Sequence, residues 1–193
     1  MSAANYVNPE AHTIEALLLY ARAEWTTSQD AVIETSAVIT LTIRLAMRMG
    51  IHRDSKAHPG IIPFSGAMRR RIWAVIGIMD TLYSLQTSLP ASIHPGECDC
   101  ELPRNIFDHE FDESTLKLPP SRVLTTDTGT SYMLLKAQML HVFQRILRLE
   151  ESSNSVSSID VTNHEQSLDE VRRMIPHLFQ MNPSQPMGKD SHP

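Results

Sequence analysis

Cysteine is almost absent from this chain: 193 residues carry two, Cys98 and Cys100, with one residue between them. Thiols that close in sequence do not reach ordinary disulfide geometry without strain. A disulfide framework is therefore excluded, and a reducing interior is the simpler setting. Glycine is also scarce, with seven in all, and none forms a phosphate-cradling loop. A nucleophile elbow, an H-E-x-x-H helix and a paired acid–base carboxylate motif are missing too. The sequence thus offers no positive case for an enzyme. Apolar stretches are broken by Arg, Thr or Asp before they reach membrane-spanning length. Residues 1–12 lack the charged start and apolar run of a secretory signal. An excess of positive charge is lacking as well: the net charge is -5, which argues against nucleic-acid binding by bulk electrostatics. Cytoplasm and nucleus remain.

What is present suits a globular chain. Hydrophobic residues make up 41% and charged residues 20%, enough apolar surface for one domain with a core. The apolar residues recur at helical spacing. Ile14, Leu17, Leu18 and Ala21 mark a helix over 11–24, and Ser28 or Asp30 can cap the next. Residues 31–49 predict a long helix, apolar on most faces and so buried between neighbours, with a narrow polar stripe of Ser36, Thr40, Arg44 and Arg48. Gly50 then ends it in the left-handed conformation, with Ile51 packing back. Pro59, Gly60, Pro63 and Gly66 make 55–66 a linker.

A further helix is predicted over 66–87. Its Gly77 costs about 1 kcal/mol against Ala, a cost that close approach of another backbone would explain. Pro90, Pro95, Pro103, Pro119 and Pro120 make 88–122 a loop draped over the helices, with one short helical turn. In the helix over 128–150, Leu135, Met139, Val142, Ile146 and Leu149 form a helix–helix seam or, equally, a short coiled-coil-like contact. A Ser-rich connection at 151–160 precedes a last helix from Asn163, which buries Leu168, Val171, Ile175 and Leu178 and is disturbed by Pro176. The tail after Gln180 is expected to be disordered. The fold class is all-α, an irregular bundle of about five helices with a long Pro-rich loop. Residues 1–150 form the main domain, 151–180 the connection and C-terminal helix, and 181–193 the tail.

Several charged groups could carry chemistry. Arg69, Arg70 and Arg71 fan over about 200° of their helix, so they make no flat basic patch. They are expected to pair with carboxylates of neighbouring loops. Asp80 lies among Ile78, Met79, Thr81 and Leu82; a buried carboxylate needs a partner, and Arg44, Arg48, Arg70 and Arg71 are the candidates. His52, Asp54 and His58 are metal-capable types, but Pro59-Gly60 follows them rather than a helix that would fix ligand geometry. Cys98-x-Cys100 has too short a spacing for a structural zinc pair. No residue is assigned a catalytic, cofactor or metal role. The alternative reading is a small helical ligand-binding protein or enzyme with a pocket around His52, Asp54 and Asp80. Internal pairing of the arginines and Asp80 favours a structural role; an open cleft holding Asp80 and His52 favours the alternative.

Four blocks stand in order: Ile43-Arg44-Leu45-Ala46-Met47-Arg48-Met49-Gly50-Ile51-His52-Arg53-Asp54, Met68-Arg69-Arg70-Arg71-Ile72-Trp73, Asp80, and Cys98-Asp99-Cys100-Glu101-Leu102-Pro103. Their order and spacing resemble the regulatory, fungal-specific transcription factor domain of binuclear zinc-cluster regulators. That family reads A-x-x-L-G-L-H-R-D, R-R-R-x-W-W, a helical D, G-R-P and D-x-D-x-x-L-P. The resemblance marks Arg44, Gly50, His52, Arg53, Asp54, Arg69, Arg70, Arg71, Trp73, Asp80, Asp99, Leu102 and Pro103 as structural motif positions. Ala74 replaces the second tryptophan, and Ser88-Leu89-Pro90 stands where the family has G-R-P. The resemblance implies an all-helical regulatory module in the nucleus. It acts through protein partners, a homodimer or a full-length relative, and receives a small-molecule effector. Zinc and DNA belong to a six-cysteine N-terminal module in full-length members. With two cysteines, this chain is expected to act as the regulatory part alone, without cofactor, direct DNA binding or membrane contact.

Overall fold

In the computed structural model, residues 9–10, 12–27, 32–94, 96–151 and 158–179 are described. Five α-helices follow in chain order: α1 (Thr13–Thr27), α2 (Val32–Arg48), α3 (Pro63–Thr87), α4 (Ser131–Glu151) and α5 (Ser158–Met174). No strand occurs among the described residues, so the molecule is all-α. Each helix packs on the next, and α3 also touches α1. The main core joins Ile14, Leu18 and Ala21 of α1, Ile39 and Ile43 of α2, and Trp73, Ile76 and Tyr83 of α3. A second, smaller core of Ala67, Ile106 and Phe111 lies under the long loop.

The helix limits depart from expectation where proline and serine were read as breakers. Helix α3 begins at Pro63, not Gly66, because proline at the first helical position gives up only an N–H that has no helical partner. The shortened linker holds a 3-10 turn, Ser55–Ala57, whose first residues are capped by the Asp54 carboxylate accepting from the Lys56 N–H at 2.9 Å. Helix α5 begins at Ser158, inside the Ser-rich stretch, and ends before Pro176, since the residue preceding proline avoids helical geometry. Ser28, Asp30, residues 152–157 and the tail beyond Phe179 lie outside the described residues, as do the side chains of Ile146, Leu149, Val171 and Leu178.

Burial departs from expectation on three helices. Helix α2 is not enclosed: Ile33 is 76% and Leu41 39% exposed, and Thr40, Arg44 and Arg48 share that open side. It is an amphipathic helix whose solvent face happens to carry apolar residues. On α4 and α5 two residues expected to be buried are open to solvent. Leu135 is buried, but Met139 and Leu168 are exposed.

The long loop 88–130 is ordered by side-chain hydrogen bonds rather than by secondary structure. It contains one short helical turn, Asp108–Glu110. Its organiser is Asn105, fully buried. The Asn105 amide donates to the carbonyls of Val123 at 2.8 Å and Thr126 at 3.2 Å, and its oxygen accepts from the Thr128 hydroxyl. Its backbone N–H donates to Ser121 Oγ at 2.9 Å and its carbonyl accepts from the Arg122 N–H at 2.9 Å. A buried polar side chain so completely satisfied replaces the ladder that a strand pair would supply.

Candidate functional site

The site is built around the junction of α2 and α3. Gly50 adopts φ +68°. The Ile51 N–H donates to the Ala46 carbonyl and the Gly50 N–H to the Met47 carbonyl, both at 2.9 Å. This pair of bonds is a Schellman motif, and it turns the chain so that Ile51 enters the core and Asp54 reaches α3.

The three arginines then part company, each holding a different segment. Arg69 donates to the Met49 carbonyl at 2.6 Å, which occupies an acceptor at the C-terminal end of α2. Arg70, buried, forms a two-pronged pair with Asp54, Nε to Oδ2 at 2.9 Å and Nη2 to Oδ1 at 2.8 Å. Arg71 reaches the opposite side, pairing with Asp108 at 2.8 Å, donating to Thr130 Oγ1 at 2.9 Å and lying over the Phe111 ring. The expected pairing with loop carboxylates is therefore found for Arg70 and Arg71, while Arg69 takes a carbonyl. Three consecutive guanidiniums tie α3 to α2, to the 51–58 turn and to the loop before α4.

Asp54 also receives the Glu101 N–H at 3.1 Å, and its own N–H donates to Asp99 Oδ1 at 2.8 Å. Outside this buried centre, Arg53 pairs with Asp99 at 3.0 Å and Lys56 with Glu101 at 2.6 Å. The His52 carbonyl accepts from the N–H groups of Asp99 and Cys100 at 3.3 and 3.2 Å. The Gly-Ile-His-Arg-Asp and Cys-Asp-Cys-Glu-Leu-Pro blocks are thus two halves of one joint. Burial by itself would raise the Asp54 pKa. Hydrogen bonds from Arg70, Lys56 and Glu101, with the Arg70 charge, outweigh burial and hold the carboxyl far below the ordinary range.

Asp80 corrects an expectation. It is buried, but its partners are not Arg44, Arg48, Arg70 or Arg71. Its two oxygens accept from the backbone N–H groups of Ser92 at 3.0 Å and Ile93 at 2.9 Å. Two amides at the start of a loop satisfy a carboxylate as a guanidinium does. The loop reaches Asp80 because α3 ends at Ser88 in the left-handed conformation, φ 55°. That serine stands where the family pattern has glycine.

Between its ties at Asp80 and at Asp54, the strap 92–102 leaves a groove of about 460 Å³ against α3 and α4. Trp73, Gly77 and Ile78 line it from α3, Ala137 and Leu140 from α4, and Leu102 from the strap. Gly77 was expected to admit a close backbone, but a Cβ there would meet nothing within 4 Å. The tight glycine is Gly66, where a Cβ would stand 2.5 Å from Ser55 Oγ. Neither His52, Asp54 nor Asp80 lines the groove, and both carboxylates have donors, so the alternative reading is not favoured. His52 packs 6.0 Å from Trp73, and its Nδ1 is buried without a partner among the described residues. Cys98 and Cys100 also face the groove, where burial first, and then the Asp54 charge, push the Cys100 thiol up to about 12. That thiol is protonated at neutral pH and is no nucleophile. Among the described residues no three His, Cys, Asp or Glu side chains gather to hold a metal ion. Of the remaining motif positions, Pro103 is buried, Leu102 is exposed and Trp73 is in the core.

The family of the fungal specific transcription factor domain matches residues 2–173. This chain belongs to that family. It is 39% identical over 178 residues to the Zn(2)-C6 fungal-type transcription factor pigI of Monascus ruber, covering 92% of this chain and 22% of the relative. It is 36% identical over 172 residues to the transcription factor phm2 of Pyrenochaetopsis sp, covering 89% of this chain and 23% of the relative. It is 37% identical over 175 residues to the equisetin cluster transcription factor eqxF of Fusarium heterosporum, with shares of 91% and 25%. The chain therefore spans about a quarter or less of the length of the curated relatives it matches. No solved structure matches. The fungal transcription factor domain is the regulatory module that the motif order implied. Asp54, Arg70 and Asp80 are what position its helices and strap.

Proposed function

We propose that this regulatory domain works in the nucleus by contact with protein partners, and that it neither reads DNA nor performs catalysis. Its net charge of -5 opposes approach to a phosphate backbone except at a local basic face. The observation that carries the reading is the fate of the basic run. Arg69, Arg70 and Arg71 all make contacts inside the molecule, so the densest cluster of positive charge in the sequence does not present one surface to a duplex. Three relatives are named for the equisetin, fusarisetin A and pyrrolocin clusters, and regulation of a gene cluster of that kind is the role we assign here. Zinc has no part in this chain's own action, since a six-cysteine module cannot be made from Cys98 and Cys100.

The test has three arms. Anisotropy titrations at physiological salt, using duplexes from promoters of such a cluster, should show no preference over scrambled competitors. Metal analysis should find no stoichiometric zinc. Co-expression with a full-length relative should change the output of that relative's reporter, with the two chains recovered together. Specific duplex binding, or one zinc per chain, would overturn the proposal.

A further inference from the structure

We infer that the groove between α3, α4 and the 92–102 strap is a binding site for a neutral, mainly apolar organic molecule of drug-like size. Calling that molecule an effector rests on the regulatory reading; its binding does not. A volume of about 460 Å³ falls within the range of about 300–1,000 Å³ that such ligands occupy. Among the described residues no Lys, Arg, Asp or Glu side chain lines the groove, and the nearby Asp54 and Arg70 close on each other. A charged ligand would find no counter-charge among these lining residues and would lose its hydration. The wall is the Trp73 ring with aliphatic neighbours, while polar groups come from α3 and α4: the Thr81 hydroxyl, the Gln144 amide bonded to it, and His141. An apolar body with one or two hydrogen-bonding ends fits that distribution.

The opening is sustained by the sequence rather than by loose packing. Gly77 on α3 faces open space, and Ala137 on α4 leaves room on the opposite wall. Larger residues at those positions would interdigitate and close the gap, as packed helices otherwise do. Asp80 fixes one end of the strap and Asp54 the other. The third wall is therefore preformed, and a ligand need not order it on entry.

The probe is Nile red, a neutral apolar dye, titrated into the full chain and followed by its own fluorescence. Tryptophan emission is followed in a Trp25→Phe background, where Trp73 alone reports. Saturable binding of one dye per chain is expected, with Trp73 emission responding over the same concentrations. Gly77→Phe and Ala137→Phe, which fill the groove from facing walls, should each weaken binding at least tenfold with helical content unchanged. Leu19→Lys, on the exposed face of α1, should leave it unaltered. Absence of saturable binding would overturn the inference, as would unchanged affinity in both filling variants. So would a silent Trp73, which decides the matter even where a filling variant fails to fold. Dye capacity that falls as the chain self-associates would assign the groove to a second copy instead. Dye binding that persists in a chain without effect on a relative's reporter would keep the site and reject the effector role.

Discussion

The strap 92–102 is tied at its two ends by buried carboxylates, and the two ties use different chemistry. At its far end Asp54 meets a guanidinium, with Arg70 supplying two bonds and the Lys56 and Glu101 amides supplying others. At its near end Asp80 meets no side-chain cation among the described residues and accepts from the Ser92 and Ile93 amides. The first tie joins three segments distant in sequence. The second bends the chain back on the helix it has just left. Where charges must be buried on both sides, each has an opposite charge; where only one is buried, local amides suffice.

The largest expected effect is at the Asp54 tie. Asp54→Ala leaves Arg70 buried beside the half-exposed Glu101 alone and should cost about 4 kcal/mol in denaturant melts. The same carboxyl sets an acid dependence. Folded Asp54 has a lower pKa than the unfolded side chain, so the unfolded state takes up the proton first as pH falls. The stabilisation is complete at neutral pH and is lost progressively below about pH 5. Melts of Asp54→Asn against pH should lack that component.

Asp80→Ala should cost less, about 2 kcal/mol, because two amides lose their acceptor but no charge is stranded. A loss as large as that of Asp54→Ala would mean that Asp80 has a cationic partner after all. Smaller again are the left-handed residues that aim the chain toward these ties. Gly50→Val should destabilise by about 1–2 kcal/mol through the Cβ clash. Ser88→Gly should stabilise by up to about 1 kcal/mol, since Ser88 bears that clash already. Both are read from thermal melts, and opposite signs are the criterion. The smallest effect belongs to the rim of the joint. Lys56→Ala removes an exposed pair with Glu101 and should change stability by no more than about 0.5 kcal/mol, less in high salt.

Much of this was legible in the sequence. Helical periodicity located all five helices, and the left-handed turn at Gly50 followed from a glycine after the last apolar turn. The arginine run was readable because consecutive helical positions diverge by about 100°, which forces three side chains toward three neighbours. What stayed hidden is non-local. Asp80 was assigned an arginine because side chains are visible in a sequence and the amides of Ser92 and Ile93 are not. Asn105 gave no signal, since a single Asn in a Pro-rich stretch does not announce burial. The groove was also illegible. Gly77 was read as a contact point, and only the spacing of α3 and α4 reveals that it faces space. Burial of α2 was overestimated because composition was taken for environment; an exposed Ile33 or Leu41 is ordinary on a protein surface.

The basic run serves as internal anchorage, with the Asp54–Arg70 pair at its centre. A double-mutant cycle with Asp54→Ala and Arg70→Ala, measured by denaturant melts at neutral pH, tests it most directly. The two substitutions should be strongly non-additive, with a coupling of about 2–3 kcal/mol, because the second removal relieves a charge left unpaired by the first. Additive losses within about 0.5 kcal/mol would contradict it and return Arg70 to a role outside the fold.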